Sequence, residues 1–166
     1  MSKLNIKSKK GFTIIEVVLV LAIAGLIFLM VFVALPALQR SQRDTQRRND
    51  MARFISQIAQ YQTNNNGQVP KDYDKFIDDY LQAGGDTFND PSTGNSYAIA
   101  EEIGECFDDD NGCAPDVDGT IGVINVYTNA VCKGEAPSPA DQDKTLANKI
   151  AIVLKLEGAG YYCGNN

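Results

Sequence analysis

Lys9-Lys10-Gly11-Phe12-Thr13-Ile14-Ile15-Glu16 opens an apolar run that lasts to Leu38. From Phe12 to Leu38 the only ionisable side chain is Glu16, and from Val17 to Leu35 every side chain is apolar. A helix of this length crosses a hydrocarbon core of ~30 Å. Glu16 is the anomaly, because a carboxylate within such a segment costs roughly 2.5–3.5 kcal/mol on insertion scales and needs a partner.

Working outward, Lys3, Lys7, Lys9 and Lys10 crowd the leader. They place the N-terminus in the cytoplasm and the rest of the chain beyond the membrane. A second basic stretch, Arg40, Arg43, Arg47, Arg48 and Arg53, argues the opposite way. The cysteines decide between the two. All four, Cys106, Cys113, Cys132 and Cys163, lie in the C-terminal part, and an even set confined there fits disulfides in an oxidising compartment.

Two plain readings compete. The apolar run exceeds the ~7–15-residue core of a secretory signal, and no clean small-residue cleavage pair follows it. An ordinary single-pass anchor leaves Glu16 without a purpose.

The residues Lys9-Lys10-Gly11-Phe12-Thr13-Ile14-Ile15-Glu16 resemble the prepilin signal of type IV pilins and type II secretion pseudopilins. That signal is a basic leader ending in Gly, then Phe, then Glu four residues later, then a long apolar helix. The likeness is dense through Gly25, where the family has a helical Gly. The family then places a helix-kinking Pro eight residues on, whereas here Val33 stands there and Pro36 follows. Beyond residue 40 the likeness is one of pattern only. The resemblance implies cleavage after Gly11 by a prepilin peptidase, N-methylation of Phe12, and pairing of the new amine with Glu16 of a neighbouring subunit. The chemistry agrees: an α-amine with a pKa of ~7.7–8.0 is largely cationic at neutral pH. Buried ionic pairs are best attested as devices that set register between helices.

The chain has 166 residues and a net charge of −6, enough for one modest domain with an appendage. Residues 39–50 contain no apolar side chain, so the expectation is a stretch with no core of its own to pack on, crossing the headgroup layer or meeting partner helices, its Arg residues forming a solvated face in preference to a lipid-phosphate or partner site. Met51, Phe54, Ile55, Ile58 and Gln62 then recur at helical spacing as a stripe facing a small head. Asn64-Asn65-Asn66-Gly67 supplies the stop. The expected organisation is a leader at 1–11, a transmembrane and polymerisation helix at 12–38, its amphipathic continuation at 39–63, and a disulfide-containing head at 64–166.

Within that head, Tyr73, Phe76, Ile77, Tyr80 and Leu81 read as a short helix opened by Pro70 and closed by Gly84-Gly85. Residues 90–95 read as a turn. Strand candidates run from Ser96 to Glu101, from Ile121 to Tyr127 and from Ile150 to Leu156, with a return at Tyr161-Tyr162-Cys163. In the third, Ile150, Ile152, Leu154 and Leu156 face one way. The expected fold is α+β, a long N-terminal helix packed on a small antiparallel sheet. This is also the plan of pilin heads. Four cysteines allow three connectivities. The expected one joins Cys106 to Cys113 across a small loop and Cys132 to Cys163 across the C-terminal segment.

The acidic loop around Asp108, Asp110, Asp116 and Asp118 is a weak calcium candidate. Its spacing fails the EF-hand pattern, and a solvated, disulfide-tied loop is the preferred reading. No cofactor is expected. An enzyme is not expected either: the chain has no His, so no Ser-His or Cys-His pair, and it lacks G-x-S-x-G, Walker A and G-x-G-x-x-G motifs. Beyond residue 63 six Lys face eighteen acids, a balance of −12, so the head is not expected to bind nucleic acid directly.

Three functions stay open. The first is a pilus subunit for adhesion, motility or DNA uptake, and the second is a pseudopilin of a secretion or competence system. The third is an anchored domain that never polymerises. The partners expected for the first two are the peptidase, further copies of the chain and related pilins, the inner-membrane assembly machinery, and lipid before assembly. The location expected is the inner membrane, then an extracellular pilus or a periplasm-spanning pseudopilus.

Overall fold

A computed structural model describes residues 11–105, 120–139, 148–158 and 160–166. The chain forms helix α1 (Ile14–Asn64), helix α2 (Tyr73–Phe76) continued by a π-helical turn (Ile77–Leu81), and six strands. The strands are β1 (Ala98–Glu105), β2 (Val123–Thr128), β3 (Ala130–Lys133), β4 (Ala136–Pro139), β5 (Ile150–Lys155) and β6 (Tyr161–Asn165). Two compact units divide them, one up to Gln39 and one from Arg40 onward.

In the first unit α1 is bare. Phe12 is 90% exposed and Leu26 70% exposed, and every large apolar side chain from Phe12 to Leu38 stands open. The helix is assigned through Pro36. A helix with its backbone satisfied internally and an apolar surface all round suits lipid or a bundle of like helices, not water.

In the second unit α1 becomes one wall of a core. Met51, Phe54 and Ile58 are buried, with Ile55 and Tyr61 packed at the margin. Each such burial contributes roughly 1.5–3 kcal/mol. Phe54 sits at the centre of an aromatic cluster, with ring centroids 5.5 Å from Phe76 and 6.0 Å from Phe88. The helix stops as its residue types predict. Asn66 and Gly67 take positive φ of 54° and 80°, and Gly67 N–H donates to the Gln62 carbonyl at 2.7 Å. The next helical stretch ends at Leu81 as the sequence pattern suggests, but its second half, Ile77–Leu81, is π-helical. Pro70 precedes it, but Asp72 is the N-cap, accepting from Lys75 N–H at 2.9 Å.

The main sheet runs β1-β2-β5-β6. β2 with β5 and β5 with β6 are antiparallel, whereas β1 lies parallel to β2, so the sheet is mixed. Ile124, Val126, Ile150, Ile152 and Leu154 join the core that contains Met51 and Phe54. Tyr127, Ala151 and Val153 join a second cluster with Ala130, Cys132, Tyr161 and Cys163. β5 is therefore buried on both faces, and its alternation does not mark a wet side.

The β3–β4 hairpin helps cover that second face, and sequence reading missed it. Pro137 and Pro139 pair with Cys132 and Ala130 in a two-stranded ladder, where a missing donor is tolerated. Its Gly134-Glu135 loop, with Gly134 at φ 68°, is the Gly-first form of a two-residue turn.

Candidate processing and assembly site

The expected cleavage point, Gly11-Phe12, lies just before α1, and both residues are exposed. Thr13 immediately precedes the helix, and its side chain and that of Glu16 cap each other. Glu16 Oε2 accepts from Thr13 N–H and from Thr13 Oγ1, each at 2.8 Å. Glu16 N–H donates to Thr13 Oγ1 at 3.4 Å. This is a Thr-x-x-Glu capping box, in which residues at N-cap and N3 satisfy free donors of the first turn. The signature is legible in Thr13-Ile14-Ile15-Glu16, a Thr three residues before a Glu at the head of an apolar run. Glu16 thus has a partner inside its own turn, and its carboxylate is held one turn from Phe12.

The second constellation belongs to the unit from Arg40 onward and corrects the reading of residues 39–50. Arg47 is 0% exposed and takes part in the core. All five of its N–H donors are engaged. Nε and Nη2 donate to Asp90 at 2.6 and 3.0 Å, and Nη2 also donates to Ser92 Oγ at 2.8 Å. Nη1 meets Asp44 and Glu157, each at 2.9 Å. Arg43 grips Glu157 through Nε at 2.7 Å and Nη2 at 2.5 Å. Asp44 accepts from the backbone N–H groups of Glu157 and Gly158 at 2.9 and 2.8 Å. Arg53 donates to the Leu81 carbonyl and pairs with Asp86 at 3.2 Å. The solvated-face expectation therefore fails at Arg43 and Arg47 and holds at Arg40 and Arg48, which are exposed. A charged group is buried when its pairing and hydrogen bonds are complete. Here two of the three acids that complete them, Asp90 and Glu157, lie 43 and 110 positions away in sequence.

The electrostatics follow. Burial pulls the Arg47 guanidinium down, but hydrogen bonds to Asp90 and Glu157 outweigh it and hold it above its ordinary value. Burial pushes the Asp90 carboxyl up, yet Arg47 and Ser92 bring it down to about 2. The Arg43 hydrogen bond leads in holding Glu157 below the usual range. Asp50, which accepts from Tyr97 Oη at 3.0 Å, is raised by burial.

The Sγ atoms of Cys132 and Cys163 stand at disulfide distance, 1.97 Å, with their Cα atoms 5.8 Å apart. The pair links β3 to β6. Cys106 and Cys113 lie outside the described residues, as do the calcium candidates Asp108, Asp110, Asp116 and Asp118. Among the described residues no group of three or more acidic or thiol side chains is placed to hold a metal.

Residues 6–32 match a family model described as the prokaryotic N-terminal methylation motif. No curated protein and no solved structure matches the chain significantly. The matched segment contains Gly11, Phe12, the Thr13–Glu16 capping box and most of the exposed apolar run. The chain therefore carries the prokaryotic N-terminal methylation motif, the signal of type IV pilins and pseudopilins.

Proposed function

We propose that this protein is a structural subunit of a type IV pilus, made as a membrane-anchored precursor, cut once and polymerised. The observation that carries the reading is the pairing of the methylation motif with a helix whose apolar surface is bare from Phe12 to Leu38. Such a helix is stable in lipid. It cannot enter water alone, since each Val, Leu, Ile or Phe side chain gains roughly 1.5–3 kcal/mol from burial. Packing many copies side by side replaces lipid with protein and yields a fibre.

Mechanistically, the Lys-rich leader stays in the cytoplasm and the unit from Arg40 onward lies outside. A prepilin peptidase cuts between Gly11 and Phe12, and Phe12 is N-methylated. The carboxylate of Glu16 is held by Thr13 while the subunit waits in lipid. On assembly it receives the Phe12 ammonium of a neighbour, which fixes the axial register. The filament serves adhesion, motility or DNA uptake. N-terminal mass spectrometry of the mature protein tests the processing step. A mass beginning at methylated Phe12 supports it, and a mature start at Met1, Ser2 or beyond Leu35 contradicts it.

A further inference from the structure

Five arginines line α1 between residues 40 and 53, and the structure sorts them. Arg43, Arg47 and Arg53 are neutralised by acids of their own chain. Arg40 and Arg48 are exposed and have no ion pair among the described residues. The acids sort in the same way. Asp44, Asp90 and Glu157 are spent on the Arg47 cluster, Asp86 on Arg53, and Asp72 on the α2 N-cap. Asp74, Asp78 and Asp79 are exposed and have no ion pair among the described residues. Residues 71–86 carry five Asp against two Lys, so the local excess is acidic.

The two unspent sets form no ion pair with each other among the described residues. α2 and its π turn pack along α1 from Arg53 to Tyr61: Arg53 donates to the Leu81 carbonyl, and the Phe76 ring lies 5.5 Å from Phe54 and 5.7 Å from Tyr61. At 1.5 Å per residue, Phe54 and Tyr61 lie about 9 and 20 Å along the helix from Arg48, and about 21 and 31 Å from Arg40. The unit from Arg40 onward therefore has a basic pole and an acidic pole on one axis.

We propose that Arg40 and Arg48 of one subunit dock on the Asp74, Asp78 and Asp79 face of a second copy of this chain. The inference rests on the filament reading and names a contact that aligns the heads. A copy shifted along the axis brings opposite poles together, and the contact leaves one pole of each kind free at the ends. It is head-to-tail and need not close, which is the geometry of open helical growth. Complementary charge of this sort steers encounter and suppresses wrong registers more than it adds raw affinity. The competing occupant of Arg40 and Arg48 is anionic lipid phosphate.

The test is charge exchange in the full-length chain, expressed in cells that make the assembly machinery. The basic variant is Arg40→Glu with Arg48→Glu, the acidic variant is Asp74→Lys with Asp78→Lys and Asp79→Lys, and a third strain co-expresses both. Sheared filament yield is read for each, with Glu16→Val as the assembly-defective control. All the exchanged side chains are exposed, so thermal unfolding should match the wild type. The expected result is about a tenfold or greater loss of filaments for each variant alone, with recovery when the two are co-expressed. Variants that assemble like the wild type, while Glu16→Val does not, overturn the docking contact and leave the filament reading intact. Loss with the basic variant alone, unrescued by the acidic one and matched by weaker binding to phosphatidylglycerol vesicles, assigns the arginines to lipid and also overturns it. Wild type absent from the filament fraction overturns the filament reading itself.

Discussion

Arg47 on α1 donates to both carboxylate oxygens of Asp90, 43 residues away, in a pair with side chains 0% and 1% exposed. The same guanidinium holds Glu157 in the β5–β6 turn, so one side chain ties two distant loops to the helix. Breaking a buried pair by removing one partner typically costs ~3–5 kcal/mol, because the other charge is stranded. Arg47→Ala should therefore remove ~3–5 kcal/mol from the unit beginning at Arg40. Arg47→Lys should recover only part, since an ammonium has three donors where five are used. Urea unfolding followed by tyrosine fluorescence in detergent checks this, and a loss below about 1 kcal/mol for Arg47→Ala would contradict it.

The same cluster sets an acid limit. Asp90 is held at about 2 and Glu157 below its ordinary value, so both are depressed in the folded state. Their stabilisation is present above the unfolded carboxyl values of ~3.9–4.3 and is lost as pH falls through the folded values. Asp90 alone contributes about 2 kcal/mol at neutral pH. Thermal unfolding should be nearly flat from pH 5 to 7 and fall steeply between pH 4 and 2. In Asp90→Asn the fall should be shallower and should start from a lower plateau.

How much of this was legible in the sequence differs by element. The bare half of α1, the Met51, Phe54 and Ile58 stripe, and the stop at Asn66 and Gly67 follow from local pattern. So do β5 and β6, because runs of β-branched and aromatic residues between turn signals need no partner to be recognised. The Arg47 cluster was not legible, because a lone Arg in a polar stretch looks solvated until the fold delivers Asp90 and Glu157. The parallel pairing of β1 with β2 is a topological fact that periodicity does not carry. The β3–β4 hairpin was hidden by Pro137 and Pro139, which argue against a strand unless an edge is already known. The Thr13–Glu16 capping box was present in plain sequence.

Glu16 and Thr13 separate insertion from assembly. Glu16→Val removes a costly carboxylate, so membrane insertion should persist or improve. It should strand the Phe12 ammonium of a neighbour and abolish filaments. Thr13→Ala removes only the cap, worth about 1 kcal/mol, so processed protein should still assemble at reduced yield. Fractionation of both variants into membrane and sheared material measures this. Normal filaments from Glu16→Val would contradict the pairing.

Cys132 and Cys163 enclose a sequence separation of 31. A bridge across a loop of that size stabilises by about 3–4 kcal/mol in the loop-entropy model. Non-reducing peptide mapping of mature protein should join the peptides containing these two residues and, separately, those containing Cys106 and Cys113. Cys132→Ser with Cys163→Ser should lower the unfolding midpoint and loosen β6. Four free thiols in extracellular material would contradict both the oxidised state and this connectivity.

On the proposed function this chain leaves the membrane by polymerising. Cells that carry the assembly machinery are sheared, the filaments are pelleted, and the pellet is probed for this protein with its N-terminus determined. The expected result is the chain in the pellet, beginning at methylated Phe12, and its loss from the pellet in Glu16→Val. A chain found wholly in the membrane fraction under those conditions contradicts the account and leaves an anchored, non-polymerising domain.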